Sequence, residues 1–236
     1  MLYLIGLGLN KKAISLQGLE ILKKCKKIYL ENYTVDFPYE KNELEKIIGK
    51  KIISADRKFV ESSKLIDEAK KIDIALLIYG SPLIATTHIS LIQEAKKQKI
   101  EYEIINNASI LDAIGETGLQ IYKFGKIASM PKWEKNFTPE SFVEILQQNI
   151  SINAHTLILI DIGLEIKKAL EQLEISAKNK KIEIKKIIVC QSLGTKYKKF
   201  FYNNINKLKK IKIKKPFCII IPSKLHFMEK EILENF

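Results

Sequence analysis

A chain of 236 residues can hold one large domain or two smaller ones, and 46% hydrophobic and 28% charged content, with only 10 glycines and 6 prolines, excludes a disordered chain. The formal net charge of +13 would suit a polyanion, yet Arg57 is the single arginine and the lysines are spread over almost every predicted helix. Solvated faces therefore account for the charge better than direct nucleic-acid binding does.

In chain order, the first half alternates short β-rich runs with helical patterns. A strand in "LYLIGLGL" precedes a helix in "SLQGLEILKKC". A strand "KIYLENY" follows, then a helix "YEKNELEKIIG" that Gly49 is placed to stop. The alternation continues through "KKIISAD", the helix "FVESSKLIDEAKK", the strand "IDIALLIYG", the helix "THISLIQEAKKQK" and the strand "IEYEII". Five β units separated by helices predict a mostly parallel sheet covered on both faces, and the continuously apolar "ALLI" reads as a strand buried on both sides. Ligands in such sheets collect at the carboxyl ends of the strands. Three stretches fall there: "GLGLN", the uncharged "GSPLIATTH", and "NNASIL".

From Gly115 to Trp133 the pattern weakens and reads as a crossing segment, which sets predicted lobes at 1–114 and 115–236. The second lobe is expected to begin with Thr138 as N-cap and Pro139 as the first helical residue of "ESFVEILQQNI". Strands "HTLILIDIG" and "IEIKKIIVCQSLG" follow, with a helix "EIKKALEQLEISAK" between them. The last part is read as a basic aromatic helix "KYKKFFYNNINKLKK", a strand "PFCIIIP" and a closing helix from Lys224. The lysine-rich "KKIKIKK" before Pro216 reads as a solvated edge.

Little in the chain marks a catalytic constellation. Gly6-Leu7-Gly8 begins a dinucleotide-like pattern but lacks its third glycine, a weak match, and tight packing of a strand end against a helix is the favoured reading. The three histidines, His88, His155 and His226, are far apart and have no cysteine or carboxylate at ligand spacing, so no metal site is expected. His88 and His155 read as satisfied structural residues, while His226 stays open. Cys25, Cys190 and Cys218 sit in apolar surroundings and read as buried thiols. Apolar runs fall short of the roughly 18 residues that cross a bilayer, and the opening "MLYLIGLGLN" lacks the charged start of a leader; the expected location is cytoplasmic. What the three loops share is small hydroxyl and apolar side chains with exposed backbone groups, a poor match for a triphosphate. They suit a ligand with an adenine ring, a ribose and a sulfonium.

The segments "LYLIGLGL", "ISLQGLE", "YLENYT", "GSPLIATTH", "NNASILDAIGETGLQIYKFGK", "HTLILIDI" and "IPSKLHFMEKEIL" cover nearly the whole chain in order. On them the chain resembles the diphthine synthases (diphthine methyltransferases) of the tetrapyrrole-methylase fold, most closely the archaeal type. The resemblance implies two α/β lobes with S-adenosyl-L-methionine in the cleft between them, and a homodimer. It also implies an acceptor: the amino group of the modified histidine of translation elongation factor 2, methylated in diphthamide biosynthesis. Matched motif by motif, the cofactor contacts fall on Leu9, Ser81, Ile84, Ser109, Ile110, Ile160, Leu193 and His226. No residue is assigned as an obligate catalyst, because methyl transfer is a displacement that mainly requires alignment and exclusion of water.

The chain also departs from that pattern. The family's turn is typically Gly-Asp-Pro, and here it is Gly80-Ser81-Pro82. The loop after "LILIDI" is shorter, and Gln191-Ser192-Leu193-Gly194 stands where relatives carry an arginine. Two alternatives accompany the reading: a degenerate, non-catalytic relative that binds RNA or the factor, and a methylase acting on a porphyrin-like ring.

Overall fold

The computed structural model describes residues 1–236. The chain divides into two compact units, Met1–Asp112 and Ala113–Phe236, each with its own sheet.

Unit 1 holds strands β1 (Leu2–Gly6), β2 (Lys27–Glu31), β3 (Ile53–Ala55), β4 (Ile74–Ile78) and β5 (Tyr102–Ile105). All pair in parallel, in the order β3-β2-β4-β1-β5. The helices between them are α1 (Leu16–Lys24), α2 (Lys41–Ile48), α3 (Arg57–Val60), α4 (Lys64–Ala69) and α5 (Ile89–Lys97), with the short α6 (Ile110–Ala113) after β5. The predicted single helix over "FVESSKLIDEAKK" is two short ones, because Ser62 Oγ turns back onto the Phe59 carbonyl and breaks the run. Side chains alternate across the sheet. Leu2, Leu4, Ile74, Leu76 and Ile78 enter one core, while Ile5, Ala75 and Leu77 enter another with Leu22, Cys25 and Leu44. Burial on both faces is why β4 is apolar at every position. Gly49, at φ +73°, accepts the left-handed conformation that ends α2, as its position in the sequence predicts.

Unit 2 holds β6 (Ala128–Met130), β7 (Thr156–Ile160), β8 (Ile187–Gln191), β9 (Lys199–Asn203) and β10 (Phe217–Ile221), in the order β6-β7-β10-β8-β9. β6 pairs with β7 in parallel; the other pairings are antiparallel. Its helices are α7 (Ser141–Ser151), α8 (Ile166–Asn179), α9 (Ile205–Leu208) and α10 (Phe227–Leu233). One core joins Phe142, Val143 and Leu146 of α7 and Ala169, Leu170 and Leu173 of α8 to Ile158, Val189 and Ile219.

Four expectations are corrected here. The stretch read as a basic aromatic helix is β9 followed by the four-residue α9. β-Favouring aromatics pair with β8 along their length, Phe201 opposite Val189 and Tyr202 opposite Ile188. β6 lies inside the segment read as an irregular crossing. α7 starts at Ser141 with Glu140 as its cap residue, so Thr138 is not the N-cap. The closing helix begins at Phe227 rather than Lys224. The residues of "KKIKIKK" form an exposed connection into β10 from which Ile213 dips into the core.

Candidate active site

The carboxyl ends of β1, β4 and β5 are neighbours on one edge of the parallel sheet, and their loops are tied together by main-chain bonds. Gly8 N–H donates to the Gly80 carbonyl at 3.1 Å, and Gly80 N–H donates back to Gly8 at 3.0 Å. Gly8 and Gly80 both adopt positive φ, +66° and +72°, and glycine takes such angles without the steric cost of other residues. Gly6 has a different reason to be glycine. A Cβ there would lie 2.6 Å from the Gly80 carbonyl oxygen and 3.0 Å from Asn107 Cβ, so the three loops close only over a bare Cα. Asn107 completes the tie, its amide donating to the carbonyls of Gly6 at 3.0 Å and Ala13 at 2.9 Å.

On this edge stand five of the eight residues carried over by resemblance. Leu9 is buried, and its carbonyl accepts from the Tyr79 hydroxyl at 3.1 Å. Ser81 is nearly buried, its hydroxyl 3.5 Å from Asn106 Oδ1. Ile84 is exposed on the same turn. Ser109 is committed to its own turn: its N–H and hydroxyl both donate to Asp112 Oδ2, at 2.6 and 2.9 Å, and its oxygen accepts from Leu111 N–H. Those N–H and O–H donors hold the Asp112 carboxyl below the usual carboxylate range. Ile110 follows, half-buried, as the first residue of α6. A Cβ on Gly80 would sit 3.7 Å from Ser109 Cα, 3.8 Å from the Ala108 carbonyl oxygen and 3.9 Å from Leu9 Cδ2. The β1, β4 and β5 loops therefore converge within contact distance of Gly80.

The other three residues lie in unit 2. Ile160 ends β7. Leu193 is buried two residues past β8, after Ser192, which has φ +48° and donates its N–H to the Pro216 carbonyl. These two share an end of the sheet. His226 follows β10, which runs antiparallel to both neighbours and finishes at the opposite end, so the sheet does not bring all three to one edge.

Sequence reasoning missed the group that fixes His226. Glu229 is fully buried, and its carboxylate accepts from His226 N–H at 2.7 Å, Gln120 N–H at 2.9 Å, Lys123 Nζ, and His155 Nε2 at 3.1 Å. His155 Nδ1 in turn accepts from Ser223 N–H at 2.9 Å. Burial pushes Glu229 up, but these four donors outweigh it and leave its pKa at about 2. A glutamate within "FMEKEIL" carries no sign of such burial, since a surface helix would read the same way. His88 and His155 are buried and hydrogen-bonded, in keeping with the structural role read from the sequence. Cys25, Cys190 and Cys218 are free and buried, as read from their apolar surroundings.

The arrangement presents carbonyls, hydroxyls and aliphatic walls at the loop edge, with the one nearby carboxylate, Asp112, turned to its own backbone. Residues 1–209 match the family model of the tetrapyrrole (corrin/porphyrin) methylases. The chain belongs to that family. Within it the likeness is to diphthine synthases. That of Methanocaldococcus jannaschii is 41% identical over 251 residues, covering 99% of this chain and 98% of its own length. A diphthine methyl ester synthase of Schizosaccharomyces pombe is 48% identical over 168 residues, which span 70% of this chain and 59% of that longer protein. A crystal structure of diphthine synthase superposes with a TM-score of 0.89 at 34% identity, covering 100% of this chain and 95% of that one.

Proposed function

We propose that this chain is an S-adenosyl-L-methionine-dependent methyltransferase. Its acceptor is the amino group of the modified histidine of translation elongation factor 2, in diphthamide biosynthesis. The observation that carries the proposal is the loop edge of unit 1, where three loops tied by the Gly8 and Gly80 bonds converge with hydroxyls, main-chain carbonyls and aliphatic side chains. Its support from relatives is the full-length likeness to the methanogen's diphthine synthase.

The donor set suits the cofactor. When bound, S-adenosyl-L-methionine supplies a methyl group on a positively charged sulfur. Leu9, Ile84 and Ile110 offer aliphatic walls, and Ser81 offers a hydroxyl beside main-chain carbonyls, which favour a cation without the desolvation cost of an ionised partner. Ser109 acts mainly by holding its turn. Ile160, Leu193 and His226 of unit 2 are assigned to donor binding on the family resemblance alone; His226 is held at its main chain by Glu229. The work of these residues is to orient the donor and exclude water, which accounts for the lack of an acid–base constellation.

The excess positive charge, +13, supports association with an acidic face of the protein substrate, with a rate that falls as salt rises. A homodimer and a cytoplasmic location belong to the same proposal; no helix is long and apolar enough to cross a membrane. Calorimetric titration with S-adenosyl-L-methionine tests the site. Saturable one-site binding is expected, and a flat titration would overturn it.

A further inference from the structure

The turn that carries Ser81 and Ile84 is closed by bonds onto one atom. The Pro82 carbonyl oxygen accepts from Thr86 Oγ1 at 2.7 Å and from His88 Nδ1 at 3.1 Å. The Thr86 bond is internal to the turn, as is the bond from Ile84 N–H to Ser81. The His88 bond leads out of it, because the other ring nitrogen faces the end of β2. His88 Nε2 lies 3.3 Å from the Tyr33 hydroxyl and 3.7 Å from Glu31 Oε2. Both Glu31 and His88 are inaccessible to solvent, at 0% and 1% exposure.

Hydrogen-bond accounting fixes the protons. A carbonyl only accepts, so Nδ1 must carry a hydrogen. Glu31 Oε1 accepts from Thr34 Oγ1, but Oε2 has no hydrogen-bond partner. An unsatisfied carboxylate oxygen at that depth is costly. The Nε2 lone pair can take the Tyr33 hydroxyl at 3.3 Å, so it needs no hydrogen of its own. At 3.7 Å the imidazole is too far from Oε2 to satisfy it by a hydrogen bond, whereas a proton on the carboxyl removes the buried charge and leaves the pair neutral in sum.

We propose that Glu31 stays protonated beside the neutral Nδ1–H imidazole of His88 and that the two act together as positioning residues, holding the Ser81–Ile84 turn against the end of β2 through the Pro82 carbonyl. The inference rests on the donor-binding reading given above. The surroundings agree with it. Burial raises the Glu31 pKa to about 7, against the lowering effects of Thr34 and Arg57. Burial lowers His88, against the Pro82 bond and Glu61. The other groups facing the pair are the Tyr33 phenol, Arg57, 5.2 Å above the Tyr33 ring, and Glu61, which pairs with Arg57.

Nitrogen-15 NMR of the full chain reads the tautomer directly, with the His88 signals assigned from their loss in His88→Gln. A fixed Nδ1–H form that does not titrate between about pH 5.5 and 8 is expected, while an Nε2–H tautomer or free titration near the ordinary value of about 6.5 would overturn the proposal. Calorimetry with S-adenosyl-L-methionine reads the positioning role. His88→Leu and Glu31→Ala should each weaken binding about fivefold to tenfold. Glu31→Gln, a neutral group of the same shape as the protonated carboxyl, should restore most of that loss, whereas a need for an ionised Glu31 would leave the two Glu31 variants equally weak. Wild-type affinity in His88→Leu, or equal losses in the two Glu31 variants, sinks the positioning role alone. Failure of the wild-type chain to bind the donor sinks the proposed function and this role with it.

Discussion

Substituting Gly6 by alanine tests whether the three loops close only over a bare Cα. The new Cβ would stand 2.6 Å from the Gly80 carbonyl oxygen, and ordinary contact begins at 3.4 Å, so the backbone must give by about 0.8 Å. The same oxygen accepts from Gly8 N–H at 3.1 Å, and a shift of that size takes the bond out of range. Overpacking costs about 1–3 kcal/mol and a lost hydrogen bond about 1 kcal/mol, giving about 2–4 kcal/mol in all. For a chain of this size that lowers Tm by about 5–15 °C. Since the Gly80 loop carries Ser81, donor affinity should fall more than tenfold. Gly49→Ala is the control: its φ is +73° with nothing within 4 Å of the added Cβ, so it should cost about 1 kcal/mol of strain and leave donor binding unchanged. Differential scanning calorimetry and donor titration on both variants give the answer. Gly6→Ala with wild-type Tm and affinity, or with losses no larger than those of Gly49→Ala, refutes the reasoning.

Ser81→Asp places a charged acceptor where the serine hydroxyl stands; a gain of about 1 kcal/mol is expected, read in the same titration as roughly fivefold tighter donor binding. Asn107→Ala removes the amide that donates to Gly6 and Ala13 and should destabilise unit 1 by about 1–3 kcal/mol in urea unfolding. For Glu229 the folded pKa of about 2 lies below the ordinary 4.5, so its stabilising contribution is complete above the unfolded value and drains away as pH falls from about 5 towards 2. Glu229→Gln should lower stability at neutral pH by about 2–4 kcal/mol and flatten that acid limb, as followed by circular dichroism.

The parallel sheet of unit 1 was legible because its strands are short, apolar and separated by amphipathic helices. "IALLI" needs burial on both sides, and only a covered sheet offers that. The loop edge was legible for the same reason, since a strand end followed by Gly-Ser-Pro or Asn-Asn-Ala-Ser has to turn there. β9 was hidden because the lysines on either side of it suit a solvated helix as well as an edge strand; the deciding fact, pairing of Phe201 with Val189, is a long-range contact. β6 was too short, at three residues, to leave a periodicity. Of the polar networks, only the Ser109–Asp112 turn has a local signature, a serine with an acid three residues on. Glu31–His88 and Glu229–His155 join positions 57 and 74 residues apart, and nothing short-range marks a glutamate that will be buried.

Methyl transfer to elongation factor 2 is tested most directly by incubating this chain with methyl-labelled S-adenosyl-L-methionine and factor carrying the partly modified histidine, followed by mass analysis of the factor's peptides. Label is expected on the modified histidine and nowhere else in the factor. Donor that binds the chain but leaves that histidine unlabelled would contradict the proposed transfer.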